Sequence, residues 1–167
     1  MQKYKRITIV DVNDNVIGYE NFFDALEKGC IRRASVVFIR DTEGKHLIQK
    51  RSDNVSEPLL FDTSVGGHVD QGDTYIETAI KESGEEMGLR NLSLIPLAPP
   101  LRTLGFFVAV YTATIPQNTD IQFDMHEVES IHWMTTEEID TRIIDAPQDF
   151  TKNFVELWTV LRDKLIV

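Results

Sequence analysis

A glycine-rich segment that runs into a helical pattern contains the residues whose types and spacing could carry out chemistry. It reads GGHVDQGDTYIETAIKESGEEMGL and opens at Gly66. Gly66 and Gly67 let a ligand approach the backbone closely. Either Asp73 or Thr74 can cap the helix that follows, and Gly88 can end it. The segment therefore predicts a loop that delivers a ligand to the start of a helix.

Three glutamates lie beside the apolar stripe of this predicted helix. At about 100° per residue, Glu82, Glu85 and Glu86 share one arc of the helix. The predicted buried stripe contains Ile76, Ala79, Ile80, Ser83 and Met87. Like charges at the margin of a core need a counterion, and Mg²⁺ is commonly held by one or two carboxylates together with substrate phosphates. We therefore predict a magnesium site here, with a solvated helix face as the alternative.

The spacing of the segment resembles the signature of the Nudix hydrolases. That signature is Gly, five residues, Glu, seven residues, then Arg-Glu-apolar-any-Glu-Glu-any-Gly-apolar. The chain matches it at Gly67, Glu82, Glu85, Glu86, Gly88 and Leu89, and departs from it at Asp73, Lys81 and Ser83. The resemblance implies an α/β fold, the Nudix-type α/β/α sandwich with a mixed β-sheet.

The resemblance also implies how the metal would be held. Glu82 and Glu86 would bind Mg²⁺, with Glu85 and the carbonyl of Gly67 nearby. Mn²⁺ is an alternative ion for an all-oxygen site. The substrate implied is a small compound that contains a diphosphate linkage.

A general base is expected but not assigned to one residue. Glu85 is one candidate, and an acid in the loop before the last predicted strand is the other. Glu127 is the first choice in that loop, with Asp124 and Glu129 as alternatives. Each of the loop acids has a second interpretation as an ordinary solvated side chain.

Three basic residues are candidate substrate contacts. Arg51 ends a strand that resembles the one preceding the signature in Nudix proteins, where its guanidinium could bind phosphate or form a surface ion pair. His68, in the predicted loop, could bind metal, phosphate or backbone. Lys81 stands where the family has arginine and can still pair with a carboxylate.

Composition limits the kind of protein and the kind of partner. The 167 residues are 42% apolar and 26% charged, so we expect one globular domain over 1–167 with an N-terminal β-hairpin extension. The net charge of −10 and the lack of a basic stripe exclude a nucleic-acid polymer as the expected partner. The oligomeric state stays open, with the hairpin as a candidate surface for a homodimer.

Cysteine usage and hydropathy indicate the compartment. Cys30 is the only cysteine, so neither an intrachain disulfide nor a cysteine metal cluster can form. The apolar run from Ile7 to Val10 is too short for a signal peptide or a membrane span. We therefore expect a cytoplasmic protein without a membrane partner.

Strand and helix patterns supply the elements that must position these residues. Predicted hairpins are Arg6–Val10 with Val16–Glu20 and Ala34–Arg40 with His46–Lys50. Further predicted strands are Phe61–Val65, Leu92–Ile95, Leu104–Ile115 and Ile131–Met134. Predicted helices begin near Asn21, at the signature, and at Thr135, and an amphipathic helix closes the chain with Phe150, Phe154, Leu157, Trp158, Leu161 and Leu165.

The main functional hypothesis is a Mg²⁺-dependent hydrolase of a diphosphate linkage, with nucleoside diphosphate compounds as the generic substrates. A second hypothesis is a Nudix-fold binding or regulatory module, motivated by Asp73 and Lys81. A third is an isoprenoid diphosphate isomerase, because the region before the signature resembles that Nudix branch. Those isomerases use a thiol just ahead of the signature, where this chain has Ser64 and Val65.

Overall fold

The computed structural model of the protein describes residues 5–103 and 105–166. Its strands are β1 Arg6–Val10, β2 Val16–Asn21, β3 Ile31–Asp41, β4 His46–Arg51, β5 Phe61–Asp62, β6 Val65–His68, β7 Ile95–Pro96, β8 Leu101–Thr103, β9 Phe106–Ile115 and β10 Val128–Met134. Its helices are α1 Phe22–Glu27, α2 Tyr75–Met87, α3 Thr136–Asp145 and α4 Lys152–Leu165, with a 3₁₀ turn at Pro147–Asp149.

Strand β3 is the centre of one mixed sheet. It runs parallel to β9 along its whole paired length, from Arg32 opposite Phe106 to Asp41 opposite Ile115. Its other edge pairs antiparallel with β6, with β4 at Arg40 and with the end of β1. The glycine pair of β6 is thereby hydrogen-bonded to the central strand, so its position is fixed by the sheet.

Helices cover both faces of the sheet, which confirms the predicted α/β/α sandwich. Side chains alternate along β3, so Val36 and Phe38 face α3 and α4 whereas Val37 and Ile39 face α2. The predicted closing stripe is buried against the first face, at Phe150, Phe154, Leu157, Trp158, Leu161 and Leu165. The helices thus bury the two apolar faces of a sheet that carries little polar surface.

The bounds of α2 were predicted correctly. Thr74 caps it through a reciprocal capping box with Glu77, and Gly88 ends it with φ of 70°. The predicted buried stripe was partly wrong, because Ile76 is 37% exposed and Ile80 is 48% exposed. The helix is rotated about its axis so that Thr78, Ser83 and Glu86 are buried together with Ala79 and Met87. This rotation turns one acidic residue of the signature inward.

The strand predicted over Phe61–Val65 is interrupted. It forms β5 and β6, because the chain turns at Thr63 and Ser64, whose backbone and side-chain groups bond locally and to Leu47. His68 consequently lies in β6 and not in a loop. The predicted strand Leu92–Ile95 is reduced to β7, and Leu104, predicted to begin β9, lies outside the described residues.

The predicted N-terminal hairpin is present as β1 and β2, followed by α1 with Asn21 as its cap. It has a small core of its own, formed by Ile7, Ile9 and Ala25. Within the described part of the chain, no helix has the length and apolar character needed to span a membrane.

Candidate active site

The carboxylates of the signature line an open cavity of about 780 Å³. Its acidic wall includes Glu82, Glu85 and Glu86 from α2 and Glu127 from the loop before β10. The sequence thus brings these predicted site residues to one solvent-accessible space. All four are acceptors of protons or ligands of hard cations by chemical type.

Glu82 packs directly against the backbone of Gly67. A Cβ atom at Gly67 would lie 2.6 Å from Cδ of Glu82 and 2.8 Å from its Oε1. Contacts this short are not tolerated, so any other residue at 67 would displace the carboxylate. The first glycine of the signature is therefore needed for close approach of α2 to β6.

Glu86 is a buried carboxylate whose hydrogen-bond donors are neutral. It is 5% exposed and accepts from Nε2 of Gln49 at 3.2 Å and from the backbone N–H of Gly66 at 3.4 Å. Burial raises its pKa well above the usual value, and the charges of Glu82 and Glu127 raise it further. Within the described residues no cation forms an ion pair with it.

Glu82 is perturbed in the same direction. Burial raises its pKa to about 7, the charge of Lys81 opposes that shift, and Glu85 and Glu127 reinforce it. The ion pair with Lys81 is long, with 3.9 Å between Nζ and Oε1. The cavity wall thus holds more negative charge than its protein neighbours neutralise, which favours a bound cation.

The residues fit a hard divalent cation with one reservation of geometry. Among residues 5–103 and 105–166, no three His, Cys, Asp or Glu side chains are grouped so that they could enclose a metal ion. An ion here would take further oxygen ligands from backbone carbonyls, water and substrate, as Mg²⁺ commonly does. The all-oxygen donors and the uncompensated charge of Glu86 both suit Mg²⁺ or Mn²⁺.

The loop that carries Glu127 is hydrogen-bonded to its surroundings. The carbonyl of Glu127 accepts from the N–H of Ser52 at 2.9 Å, and the N–H of Asp124 donates to the carbonyl of Glu86 at 2.8 Å. Asp124 also accepts, through its side chain, from the N–H of His126. Of the three predicted loop acids, Glu127 is the one that lines the cavity among the described residues, whereas Asp124 and Glu129 do not.

Lys81 is engaged by acids at the start of α2. Its Nζ lies 2.7 Å from Oδ2 of Asp70 and 2.9 Å from Oδ2 of Asp73. Burial lowers its pKa, but the hydrogen bonds to the two aspartates outweigh this effect and raise it. Asp73 and Lys81, the two charged departures from the signature, therefore bind each other, and Lys81 does not line the cavity.

Arg51 lines the cavity and is also paired within the protein. Its Nη1 donates to Oδ2 of Asp62 at 3.1 Å and its Nε donates to the carbonyl of Ser56 at 2.8 Å. Both interpretations made from the sequence, an ion pair and a group facing the substrate space, are compatible with this position.

His68 contributes an aromatic surface to the cavity. Its ring contacts Phe22 and Phe106, with centroid distances of 5.0 and 5.4 Å. Burial lowers its pKa to about 4, with a further contribution from the charge of Arg32. A neutral imidazole at physiological pH supplies no positive charge for a phosphate, and its Nε2 has no hydrogen-bond partner among the described residues.

Sequence reasoning missed several residues of the cavity. Gln49, which holds Glu86, had a local signal because it stands two residues before Arg51 and side chains alternate along β4. Arg32 and Phe106 had none. They meet because β3 and β9 pair in parallel, which no local pattern reveals.

Comparison with known proteins places the chain in a family. The NUDIX domain model matches residues 31–154. A Nudix hydrolase of Deinococcus radiodurans is 31% identical over 145 residues, which are 83% of this chain and 84% of that protein. A crystal structure of a protein from Deinococcus radiodurans has a TM-score of 0.74 and 29% identity, covering 85% of this chain and 90% of that one.

Two relatives have names that refer to isoprenoid chemistry. Isopentenyl-diphosphate Delta-isomerase 2 of Photorhabdus laumondii is 27% identical over 167 aligned residues, covering 90% of this chain and 89% of that protein. Prenyl-diphosphate phosphatase of Methanosarcina mazei is 28% identical over 152 residues, covering 87% and 88%. From the signature, the fold and these matches, the chain belongs to the Nudix hydrolase family.

Proposed function

We propose that the protein is a divalent-metal-dependent hydrolase that cleaves a diphosphate linkage in a small compound, of the nucleoside diphosphate type or a related diphosphate. The observation that supports this most is the buried carboxylate of Glu86, which faces an accessible cavity beside Glu82 and has no cationic partner among the described residues. A charge in this state is costly unless a ligand compensates it.

The proposed roles follow from position. Glu82 and Glu86 would hold Mg²⁺ or Mn²⁺, with Glu85 and the carbonyl of Gly67 nearby. When bound, such an ion would neutralise phosphate charge and acidify a water molecule. Glu85 or Glu127 would accept the proton of the attacking water, whose oxygen bonds to phosphorus while the bridging P–O bond breaks.

The test is turnover by matched variants. Phosphate or mononucleotide release from a panel of diphosphate compounds should require Mg²⁺ or Mn²⁺ and stop in EDTA. Glu86→Gln keeps the shape and a hydrogen-bonding side chain but removes the charge, so we expect a loss of roughly 100-fold in kcat/KM. Glu137→Gln, on the exposed first turn of α3, is the control. Equal turnover by Glu86→Gln and the control would refute the proposal.

The non-catalytic alternative has weaker support. It was motivated by Asp73 and Lys81, but these residues bond to each other, so an ion pair remains at this point of the helix. Ligand-induced thermal stabilisation without product across the panel would favour a binding module, whereas metal-dependent turnover would eliminate it.

Isomerisation of an isoprenoid diphosphate is supported by the names of relatives and by no side chain that we can assign. Cys30 packs beside Ile7, Ile9 and Ala25 and does not line the cavity. Ser64 is fully buried, with its hydroxyl donated to the carbonyl of Leu47. Incubation with isopentenyl diphosphate and a search for the allylic product would decide this alternative.

A further inference from the structure

Arg32 is a buried cation in the wall of the same cavity. It is 7% exposed, and its guanidinium carbon lies 4.2 Å from the centroid of the Phe106 ring. Burial lowers its pKa. Among residues 5–103 and 105–166, no carboxylate forms an ion pair with it and its Nε has no hydrogen-bond partner.

Other arginines that line or approach the cavity are paired. Arg33, the next residue in β3, reaches Asp14 with 2.7 Å between Nε and Oδ1, and Arg51 reaches Asp62. A guanidinium carries five N–H donors, and leaving such donors buried without acceptors destabilises a fold. Folding therefore gives no reason for a charge at Arg32, because an apolar side chain of similar length would fill the same space.

The surroundings of Arg32 are adapted to its presence but offer it no acceptor. Gly105 has φ of 90°, and a Cβ atom there would lie 2.9 Å from Nη2 of Arg32. The neighbouring parts of the cavity wall are Phe106, His68 and Phe22, none of which is acidic. The cavity thus combines an acidic wall at α2 with one unsatisfied donor fork on β3.

We propose that Arg32 is a substrate-binding residue whose guanidinium donates to oxygen atoms of the compound that binds at the acidic wall. This inference rests on the proposed function and adds a contact that the family signature does not contain. The planar fork of arginine fits two oxygen atoms at once. These oxygens belong either to the diphosphate or to the group attached to it, and the two sources are separable by experiment.

The experiment compares Arg32→Met and Arg32→Lys with the wild type on two probes that share only the diphosphate, ADP and geranyl diphosphate. KM and kcat are measured with Mg²⁺, and Kd is measured by calorimetry in EDTA, where turnover is absent. We expect Arg32→Met to raise KM and Kd by roughly tenfold or more with kcat little changed, and Arg32→Lys to recover part of the loss. Equal losses for both probes assign the oxygens to the diphosphate, and a loss for ADP alone assigns them to the nucleoside.

A matched control is available on the neighbouring strand. Arg102 lies over the ring of Phe107 at 5.4 Å but is exposed and outside the cavity, so Arg102→Met should leave KM and Kd unchanged. Arg32→Met should unfold at the same or a higher denaturant concentration than the wild type, since it removes an unpaired buried charge. A structural arginine would instead be destabilised by this change.

Two results would overturn the inference. One is a Kd of Arg32→Met equal to that of the wild type for both probes, and the other is a wild type that binds neither. Binding of the probes without any metal-dependent turnover would defeat the proposed function alone, because Kd still tests Arg32.

Discussion

Glu82 lies so close to Gly67 that the glycine decides where the carboxylate points. The atoms that a Cβ at 67 would meet are Cγ, Cδ and Oε1 of Glu82, the flexible end of a side chain. The backbone is therefore not forced to move when this glycine is replaced. The position of the carboxylate and the stability of the fold can be changed separately here.

We predict that Gly67→Ala lowers kcat/KM by roughly tenfold to 100-fold while the free energy of unfolding changes by less than about 1 kcal/mol. Gly18→Ala is the control, because Gly18 is also in a strand and has no atom within 4 Å of an added Cβ. Steady-state kinetics and urea unfolding test both variants. Full activity of Gly67→Ala would show that the carboxylate of Glu82 need not be held at this place.

His46 gives the fold a dependence on pH that is separate from the site. It is fully buried at the start of β4, with its ring edge-on to Trp158 at 5.0 Å. Burial lowers its pKa to about 4, below the ordinary value of 6.5. The unfolded chain therefore takes up a proton that the folded chain refuses, and stability falls as the pH is lowered from about 6.5 to about 4.

We predict that His46→Phe flattens this fall. A shift of this size corresponds to about 3 kcal/mol per histidine at pH 4. His68 has a similar shift and remains in the variant, so part of the dependence should persist. Urea unfolding between pH 4 and pH 7 measures it, with the exposed His126→Gln as control. An unchanged pH profile for His46→Phe would contradict the assignment.

At the scale of elements, the end of α2 is joined to the loop that carries Glu127. Gly88 has φ of 70°, and a Cβ atom there would lie 2.9 Å from the carbonyl oxygen of Gln122 in that loop. The N–H of Asp124 donates to the carbonyl of Glu86 nearby. The helix end therefore sets the position of the loop acid relative to the helix acids.

We predict that Gly88→Ala costs about 1 to 3 kcal/mol and also lowers activity, because it strains the helix end and pushes the loop. Gly72→Ala separates these effects, since Gly72 has φ of 94° and no atom within 4 Å of an added Cβ. Gly72→Ala should therefore show the conformational cost alone. Activity retained by Gly88→Ala at full level would mean that the loop position does not matter for turnover.

Local sequence signals identified most elements of this fold. Thr74 and Gly88 marked α2, and Thr135 with Glu138 marked α3, because capping depends on residues within one turn. The buried face of α2 was harder to predict. Thr78 is polar and fully buried while Ile80 is half exposed, and only the packing of α2 on β3 and β6 decides this.

The candidate site could be predicted in part for the same reason. The glutamates of α2 share a helical spacing, so their grouping is readable from sequence. The pairing of Lys81 with Asp70, and the approach of Arg32 to Phe106, depend on the path of the chain between elements. Contacts of that kind become visible once strand pairing is known.

At the scale of the whole molecule, the chain carries a net charge of −10 and concentrates acids at one cavity. The pKa of Glu82, about 7, lies above its unfolded value of 4.5. The folded protein thus keeps a proton that the unfolded chain releases, so in the absence of metal this group makes stability fall as pH rises from about 4.5 to about 7. A cation that binds the ionised carboxylates would reverse this loss.

Magnesium should therefore stabilise the protein more at pH 8 than at pH 5, where protons compete for the carboxylates. At a concentration 100 times Kd, the expected gain at pH 8 is about 2.7 kcal/mol over EDTA, because the ion binds the folded state alone. Thermal and urea unfolding in Mg²⁺ and in EDTA measure the difference. Glu82→Gln should lose most of the gain, and the exposed Glu137→Gln should keep it. A gain of equal size at both pH values would assign the effect to general charge screening over the acidic surface and not to ionised carboxylates at one cavity.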